Sequence, residues 1–443
     1  MSEPLNQKLH VAIITSGGAG MFCGACMHDN TWTKAMMLQG AEATLIPTYT
    51  PIRVDEQNMT GSQVFLGGIN VYLNFRSRLW RRLPRFMKHW LDTPWIINLA
   101  TKFGVSNDAH ELGALTVTLL EGDQGAEGTE IEELARFLGE TLKPDVICLS
   151  NALLSGIIKN IRNHFQGPLF CMLQGDDVFL EELGEPYRSR SMELIRSNVK
   201  QLDGVLVHSD YYREFMSEYL DVPLDHIHKM LLGINLEGHD GKPEEGSDEP
   251  FTIGFFARIC KEKGLHNVVE AFRIFHERHP DSRLLVGGFL GKENEAYFRE
   301  TTAPLAELKD AYRYWGSPAS LTDKVAFYKS LSVLSVPTDY REPKGLFVLE
   351  AMANGVPVVQ PDHGAFPELI EQTAGGLLVP PGDAQALAEA WERLYEDKGY
   401  RKQLAQQGYE RVRQFYNAEL MAKESLQFFQ DRIQAVAPLE NPG

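Results

Sequence analysis

The sequence predicts an α/β protein built from two doubly wound parallel-sheet domains, and three observations predict it. Short apolar runs alternate with helical patterns along most of the chain, which is the signature of βαβ units. The alternation stops once, at 237–250, and then restarts. The length of 443 residues exceeds one ordinary core, since a domain takes ~150 residues.

The elements follow in order. Val11–Thr15 is an apolar run that ends in Ser16-Gly17-Gly18-Ala19-Gly20, a strand and its loop. A helix is expected to start at Cys23 to Asn30 and to stop at Gly40, with a second strand over 42–47. Strands follow at Asp145–Leu149, Pro168–Leu173 and Gly204–His208, with helical stretches such as Ser155–His164 between them. In residues 237–250 glycine, proline and acidic residues dominate and no apolar residue is present, so they read as an acidic surface linker. Strands then fall at Phe251–Ala257, Arg283–Val286, Val333–Val336 and Val356–Gln360. Helices fall at Leu265–Glu277, Leu346–Ala353 and Ala384–Tyr395, and 398–435 stays helical. The domains are therefore expected at 1–236 and 251–415, joined by 237–250, with a last helical segment at 416–443. Two such domains facing each other leave a cleft at the carboxyl ends of both sheets, where open α/β folds bind ligands.

Composition narrows the function. Lys and Arg total 43 against 60 Asp and Glu, a formal charge of −17. A chain so acidic, with no long basic tract, is not expected to bind nucleic acid. The five cysteines are few, odd in number and scattered, which points to a reducing compartment. The first ten residues carry no basic stretch followed by an apolar one, so no signal peptide is expected. No apolar run reaches a bilayer-spanning length, and a cytoplasmic protein is the expectation.

Two segments carry the chemistry. In Tyr340-Arg341-Glu342-Pro343-Lys344-Gly345-Leu346, Pro343 keeps Glu342 out of the helix and Gly345 permits a tight turn. The helix from Leu346 to Ala353 then presents free N–H groups that favour an anion such as a diphosphate. Glu350 lies about one turn inside it, so Glu342 and Glu350 can both reach hydroxyls of a ligand across the helix start. The second segment, Ala257-Arg258-Ile259-Cys260-Lys261-Glu262-Lys263-Gly264, puts Arg258 and Lys263 at a strand-to-helix junction. Two fixed cations there suit a departing diphosphate.

These residues resemble retaining glycosyltransferases of family 4. The Glu-x7-Glu pair (Glu342, Glu350), the Leu349-Glu-Ala-Met-Ala-x-Gly-x-Pro-Val-Val run, Phe366-Pro-Glu-Leu-Ile and Arg258 with Lys263 carry the likeness. It is specific over about 250–390 and general before that. It implies a GT-B fold, two Rossmann-like domains around a central cleft, with a nucleoside-diphosphate sugar held mainly by the second. It implies that Glu342 contacts the sugar, Glu350 the ribose, and Arg258 and Lys263 the diphosphate. Gly345, Leu346 and Lys344 complete the donor loop, with Gly18 and Gly20 approaching from the first domain. No metal ion and no cofactor is implied, and the last helix is expected to return to the first domain. The sequence departs from the family at Lys344, usually aromatic, at Ser150-Asn151 and at Leu173-Gln174-Gly175-Asp176-Asp177.

The implied reaction is transfer of a hexosyl group to an acceptor hydroxyl with retention. Its alternatives are a sugar-nucleotide epimerase or phosphorylase on the same fold, or a silent nucleotide-sugar binder. A nicotinamide dehydrogenase is disfavoured: Cys23 stands where the glycine fingerprint needs its last Gly, and Leu45-Ile46-Pro47-Thr48 offers no acid for a ribose. His28, Asp29, Asp176 and Asn151 are the acceptor-side candidates, with His28 or Asp29 as a general base; Asp176 reads equally as a helix cap. Cys23-x2-Cys26 lacks the second pair of ligands that a structural zinc needs. Residues 75–95 bear six cations before their first acid, interleaved with Trp80, Phe86 and Trp90. They suit the inner face of an anionic membrane as a peripheral contact, an anionic acceptor or a partner surface, or they form a lid packed on the core.

Overall fold

The computed structural model describes residues 8–17, 23–61, 65, 109–125, 128–243 and 250–436. Gly18, Gly20 and the basic segment 75–95 lie outside the described residues. The chain divides into two compact units. The first runs to His208, with Tyr212–Leu231 and everything from Glu419 on; the second holds Ser209–Tyr211 and Leu232–Ala418.

The first unit is a six-stranded parallel sheet in the order β2-β1-β3-β4-β5-β6. Its strands are β1 His10–Thr15, β2 Glu42–Pro47, β3 Val146–Leu149, β4 Leu169–Met172, β5 Gly204–Val207 and β6 Ile227–Lys229. Every residue of β3, β4 and β5 is buried, which is why these strands read as continuous apolar runs. Ile13 of β1 sits opposite Leu45 on one side and Cys148 on the other. The chain leaves β1 in one direction for β2 and in the other for β3, so the topological switch point lies between β1 and β3. Helix α1 (Gly24–Leu38) covers the sheet with Trp32, whose indole N–H donates to Ser425 Oγ at 2.9 Å. Ser425 belongs to the last helix, Ala418–Val436, whose Phe429 packs on Trp32 and Phe170.

The second unit is a six-stranded parallel sheet in the order β12-β11-β10-β7-β8-β9. Its strands are β7 Thr252–Phe256, β8 Arg283–Gly287, β9 Tyr312–Gly316, β10 Val333–Leu334, β11 Val358–Pro361 and β12 Gly376–Val379. Phe255, Phe272, Phe275, Phe327 and Trp391 are fully buried around it. Here the switch point lies between β7 and β10. The loops after β7 and β10 carry Arg258, Lys263, Glu342 and Gly345.

Several local expectations change. Strands β6, β9 and β12 were not apparent in the sequence pattern. The stretch expected as one helix over Ser155–His164 is a 3-10 segment, Ala152–Ile157, followed by an α-helix, Ile158–His164. The unit boundary falls at Leu231/Leu232. The described part of 237–250 is not wholly solvated. His239 is buried, its Nδ1 lies 2.8 Å from Asn354 Nδ2, and the Gly241 N–H donates to Asn354 Oδ1 at 3.2 Å.

Candidate functional site

In the second unit, β7 runs into Ala257–Cys260, a 3-10 turn over Lys261–Lys263, and helix α2 (Leu265–Arg278). Gly264 makes the junction at φ +75°, and a Cβ there would lie 1.8 Å from the Pro337 carbonyl oxygen. Only glycine lets the loop after β7 close onto the loop after β10. That closure carries Lys263 to Glu342.

The Lys263 Nζ lies 2.8 Å from Glu342 Oε2 and 2.5 Å from the Tyr340 hydroxyl. Tyr340 donates to the same Oε2, and the Gly345 N–H donates to Oε1 at 3.3 Å. The ammonium also stands over the rings of Tyr340 and Phe347, at 4.9 and 5.4 Å from their centroids. Glu342 is buried, and burial by itself pushes its carboxyl up. The Lys263 charge and the hydrogen bonds from Lys263, Tyr340 and Gly345 outweigh this and hold it below the usual carboxylate range. Tyr340 goes the other way: burial and the Glu342 charge push its phenol well up, so it stays a donor. Arg258 is exposed, and its positive charge draws Tyr340 and Cys260 downward against their burial, which places the guanidinium in the same field. Cys260, pushed up to about 11, remains a thiol.

The helix expected after this loop is α4 (Leu346–Ala353), preceded in the chain by α3 (Leu321–Lys329). Gly345 starts α4 at φ +68° with no side-chain cap, and Lys344 just ahead of it is buried. Gly364 at φ +63° packs on the Glu342 backbone, where a Cβ would sit 2.6 Å from the Glu342 carbonyl oxygen. Glu350 is on α4, and its carboxylate is met from α3: Lys324 Nζ at 2.7 Å on Oε1 and the Tyr328 hydroxyl at 2.9 Å on Oε2. Sequence reasoning missed Tyr340, Lys324 and Tyr328. Spacing offers a signal only for the last two, which share one face of α3 at i, i+4. On the same helix, Asp323 Oδ1 accepts the Trp315 indole N–H at 3.1 Å.

In the first unit, a second polar group gathers at the carboxyl ends of β1, β3, β4 and β5. The Gln174 amide donates to Asp29 Oδ1 at 2.9 Å and to the Ser150 carbonyl at 3.0 Å. His28 Nδ1 lies 3.3 Å from the same Asp29 oxygen, and the His28 ring meets His208 edge-on at 4.5 Å. Asn151 Nδ2 donates to Ser16 Oγ at 3.0 Å. Asp176 is the first residue of the helix Asp176–Glu182 and does not cap it; its oxygens accept the N–H groups of Ala152 at 2.5 Å and Gln174 at 2.8 Å. Burial nevertheless lifts it to about 6. Of the acceptor-side candidates, then, His28, Asp29 and Asn151 sit at the switch point, and Asp176 fixes the loops that hold them. Cys26 is buried beside Cys23; hydrogen bonding to Cys23, then burial, pushes its thiol far up. Among the described residues no cluster of three or more His, Cys, Asp or Glu side chains could hold a metal ion.

Residues 240–411 match the family model described as Glycosyl transferases group 1. That stretch is a domain of this family, and it contains Arg258, Lys263, Glu342 and Glu350. Over 181 residues the chain is 29% identical to the capsular polysaccharide biosynthesis glycosyltransferase CapM of Staphylococcus aureus, covering 40% of this chain and 45% of that protein. The chain spans about half the length of the curated relatives it matches. Among solved structures it is similar to sucrose-phosphate synthase from Thermosynechococcus elongatus, with a TM-score of 0.70 at 18% identity over 97% of this chain and 100% of that one. HepE of Anabaena in complex with UDP gives 0.66 at 16% identity over 96% and 100%. The fold is GT-B, two α/β units each on a parallel six-stranded sheet. Among the described residues no helix is long and apolar enough to cross a membrane.

Proposed function

We propose that this protein is a retaining glycosyltransferase of the family 4 type, which moves a hexosyl group from a nucleoside-diphosphate sugar to an acceptor hydroxyl. The observation that carries the reading is the Lys263–Glu342 contact at the switch point, directly ahead of the uncapped start of α4. Glu342 orients the sugar hydroxyls as the bond to the diphosphate loosens. Lys263, Arg258 and the first N–H groups of α4 take up the charge that develops on the leaving oxygen. Lys263 has a further N–H for a phosphate oxygen while it stays on Glu342. The leaving phosphate itself helps to remove the acceptor proton, so no second catalytic carboxylate is needed. The charge is handled by cations of the chain, and the reaction is proposed to be metal-independent. The acceptor contacts fall to His28, Asp29 and Asn151.

A thermal-shift panel of UDP, GDP, ADP and TDP, with and without EDTA, tests this. Ligand at ~100 times its Kd stabilises by about 2.7 kcal/mol. The expected result is a shift with one base, unchanged by EDTA, followed by sugar transfer or donor hydrolysis with the matching sugar nucleotide. No shift with any of the four removes the donor-site reading. The same reading puts the enzyme in the cytoplasm, with 75–95 as the segment that touches an anionic membrane face. If the chain fails to float with anionic liposomes at low salt, that contact does not exist.

A further inference from the structure

We propose that Lys324 is a positioning residue for the ribose of the donor, acting through Glu350. With Tyr328 it holds the carboxylate in one orientation, so that the remaining lone pairs accept the two ribose hydroxyls. The inference rests on the donor-site reading above and goes beyond it to a residue outside the Glu-x7-Glu motif.

Four observations lead there. Lys324 and Glu350 are both buried, at 4% and 8% exposure. A buried ion pair of this kind is weak as a stability device, because desolvating two charges offsets most of their attraction. A buried pair of this kind therefore calls for a use. The partners also divide between the oxygens, Lys324 on Oε1 and Tyr328 on Oε2. A carboxylate has about four lone-pair positions. Of these, Lys324 and Tyr328 take one on each oxygen, which leaves one acceptor on each, the pattern that a cis-diol matches. Third, a helical side chain leans toward the N-terminus of its helix, so Glu350 in the second turn of α4 leans toward Gly345 and Leu346. The acceptors thus lie on the side of the proposed diphosphate. Last, Glu342 contrasts with it: Lys263 and Tyr340 both crowd its Oε2. The two carboxylates of one motif are prepared for different groups.

The experiment is calorimetric titration of the full chain with UDP, GDP and ADP and with their 2′-deoxy forms. Wild type is expected to bind one ribonucleotide ~10-fold or more tighter than its 2′-deoxy form, the size of a lost hydrogen bond to a charged group. Lys324→Met should bring the two to within about threefold, with the Kd of the deoxy form little changed. Lys324→Arg should restore the preference. Lys324→Met/Glu350→Gln leaves no buried charge unpaired; it serves where the single variant does not fold, and it should also lose the preference. A folded Lys324→Met, or double variant, that discriminates as wild type does would overturn the proposal. So would an equal weakening of both nucleotides, which is what a purely structural role predicts. Wild type that binds a nucleoside diphosphate without a ribose preference removes this inference and leaves the donor site standing. Wild type that binds none removes both.

Discussion

Lys263→Met is the sharpest perturbation of the proposed donor loop, because it removes the cation from a carboxylate that stays buried. The two charged groups are 2.8 Å apart, with their side chains 16% and 7% exposed. At an effective dielectric of ~20, unit charges at that distance attract by roughly 6 kcal/mol gross. Tyr340 and the Gly345 N–H continue to donate to Glu342, and part of the Lys263 side chain is already solvated. A loss of about 3 kcal/mol is therefore expected, the low end of what breaking a buried pair costs. For a domain of ~150–250 residues this lowers the Tm of the second unit by roughly 6–12 °C. Calorimetric melting at several pH values is the assay. In wild type the Glu342 carboxyl lies below its usual range. Its contribution is complete above the unfolded value of about 4.3 and disappears as pH falls through the lower folded value. In the variant, burial acts without its counter-cation, the folded value moves above the unfolded one, and the sign reverses. Acidification from pH 7 to 5 should then narrow the gap between variant and wild type. Lys263→Met/Glu342→Gln should recover most of the lost stability at pH 7. A single variant within ~2 °C of wild type at pH 7, or a gap that does not narrow on acidification, would refute the reasoning.

Other outcomes follow from the same geometry. Glu342→Gln should lower kcat by ~10²-fold or more, with nucleoside-diphosphate binding kept, as read by turnover beside titration. Gly264→Ala should destabilise the second unit by more than the ~1–2 kcal/mol that a left-handed residue costs, since the added Cβ also meets the Pro337 carbonyl; melting reads it. His28→Ala should cut transfer to the acceptor more than hydrolysis of the donor. Full transfer in that variant would dismiss His28 as the base. Asp176→Asn puts an amide against N–H groups of the backbone, and about 1–3 kcal/mol should be lost from the first unit.

What the sequence made legible follows where each strand lies. The central strands β1, β3, β4, β5, β7, β8, β10 and β11 are covered on both faces, and continuous apolar runs announce them. The strands that escaped notice, β6, β9 and β12, are all sheet edges. In Tyr312–Gly316 no residue is fully buried and Arg313 is exposed, so its pattern lacks the apolar run. Glu342, Glu350, Arg258 and Lys263 were legible because short-range motifs carry them: a proline and a glycine before a helix, and a glycine after a turn. Their partners were not. Lys263 reaches Glu342 across 79 positions, and Lys324 reaches Glu350 across 26. Those contacts depend on which strands are neighbours, and no local spacing reports that.

The same topology explains why this chemistry collects where it does. In the second sheet the chain departs from β7 on one side for β8 and crosses on the other to β10, so the two loops at this point diverge and leave space between them. Gly264 and Gly364 then draw backbone back toward that space, one under Pro337 and the other under Glu342. The glycines decide how near the loops come, and the charges decide what can stay there. Glu342 and Glu350 are eight residues apart and buried, and each meets a lysine brought from elsewhere in the fold and a tyrosine, Tyr340 two residues away for Glu342 and Tyr328 for Glu350. A hydrophobic repacking would stabilise such positions as well or better. That two costly pairs persist eight residues apart, on the loop and helix after the switch point, is the physical ground for the proposal that this region binds hydroxyls and phosphate together.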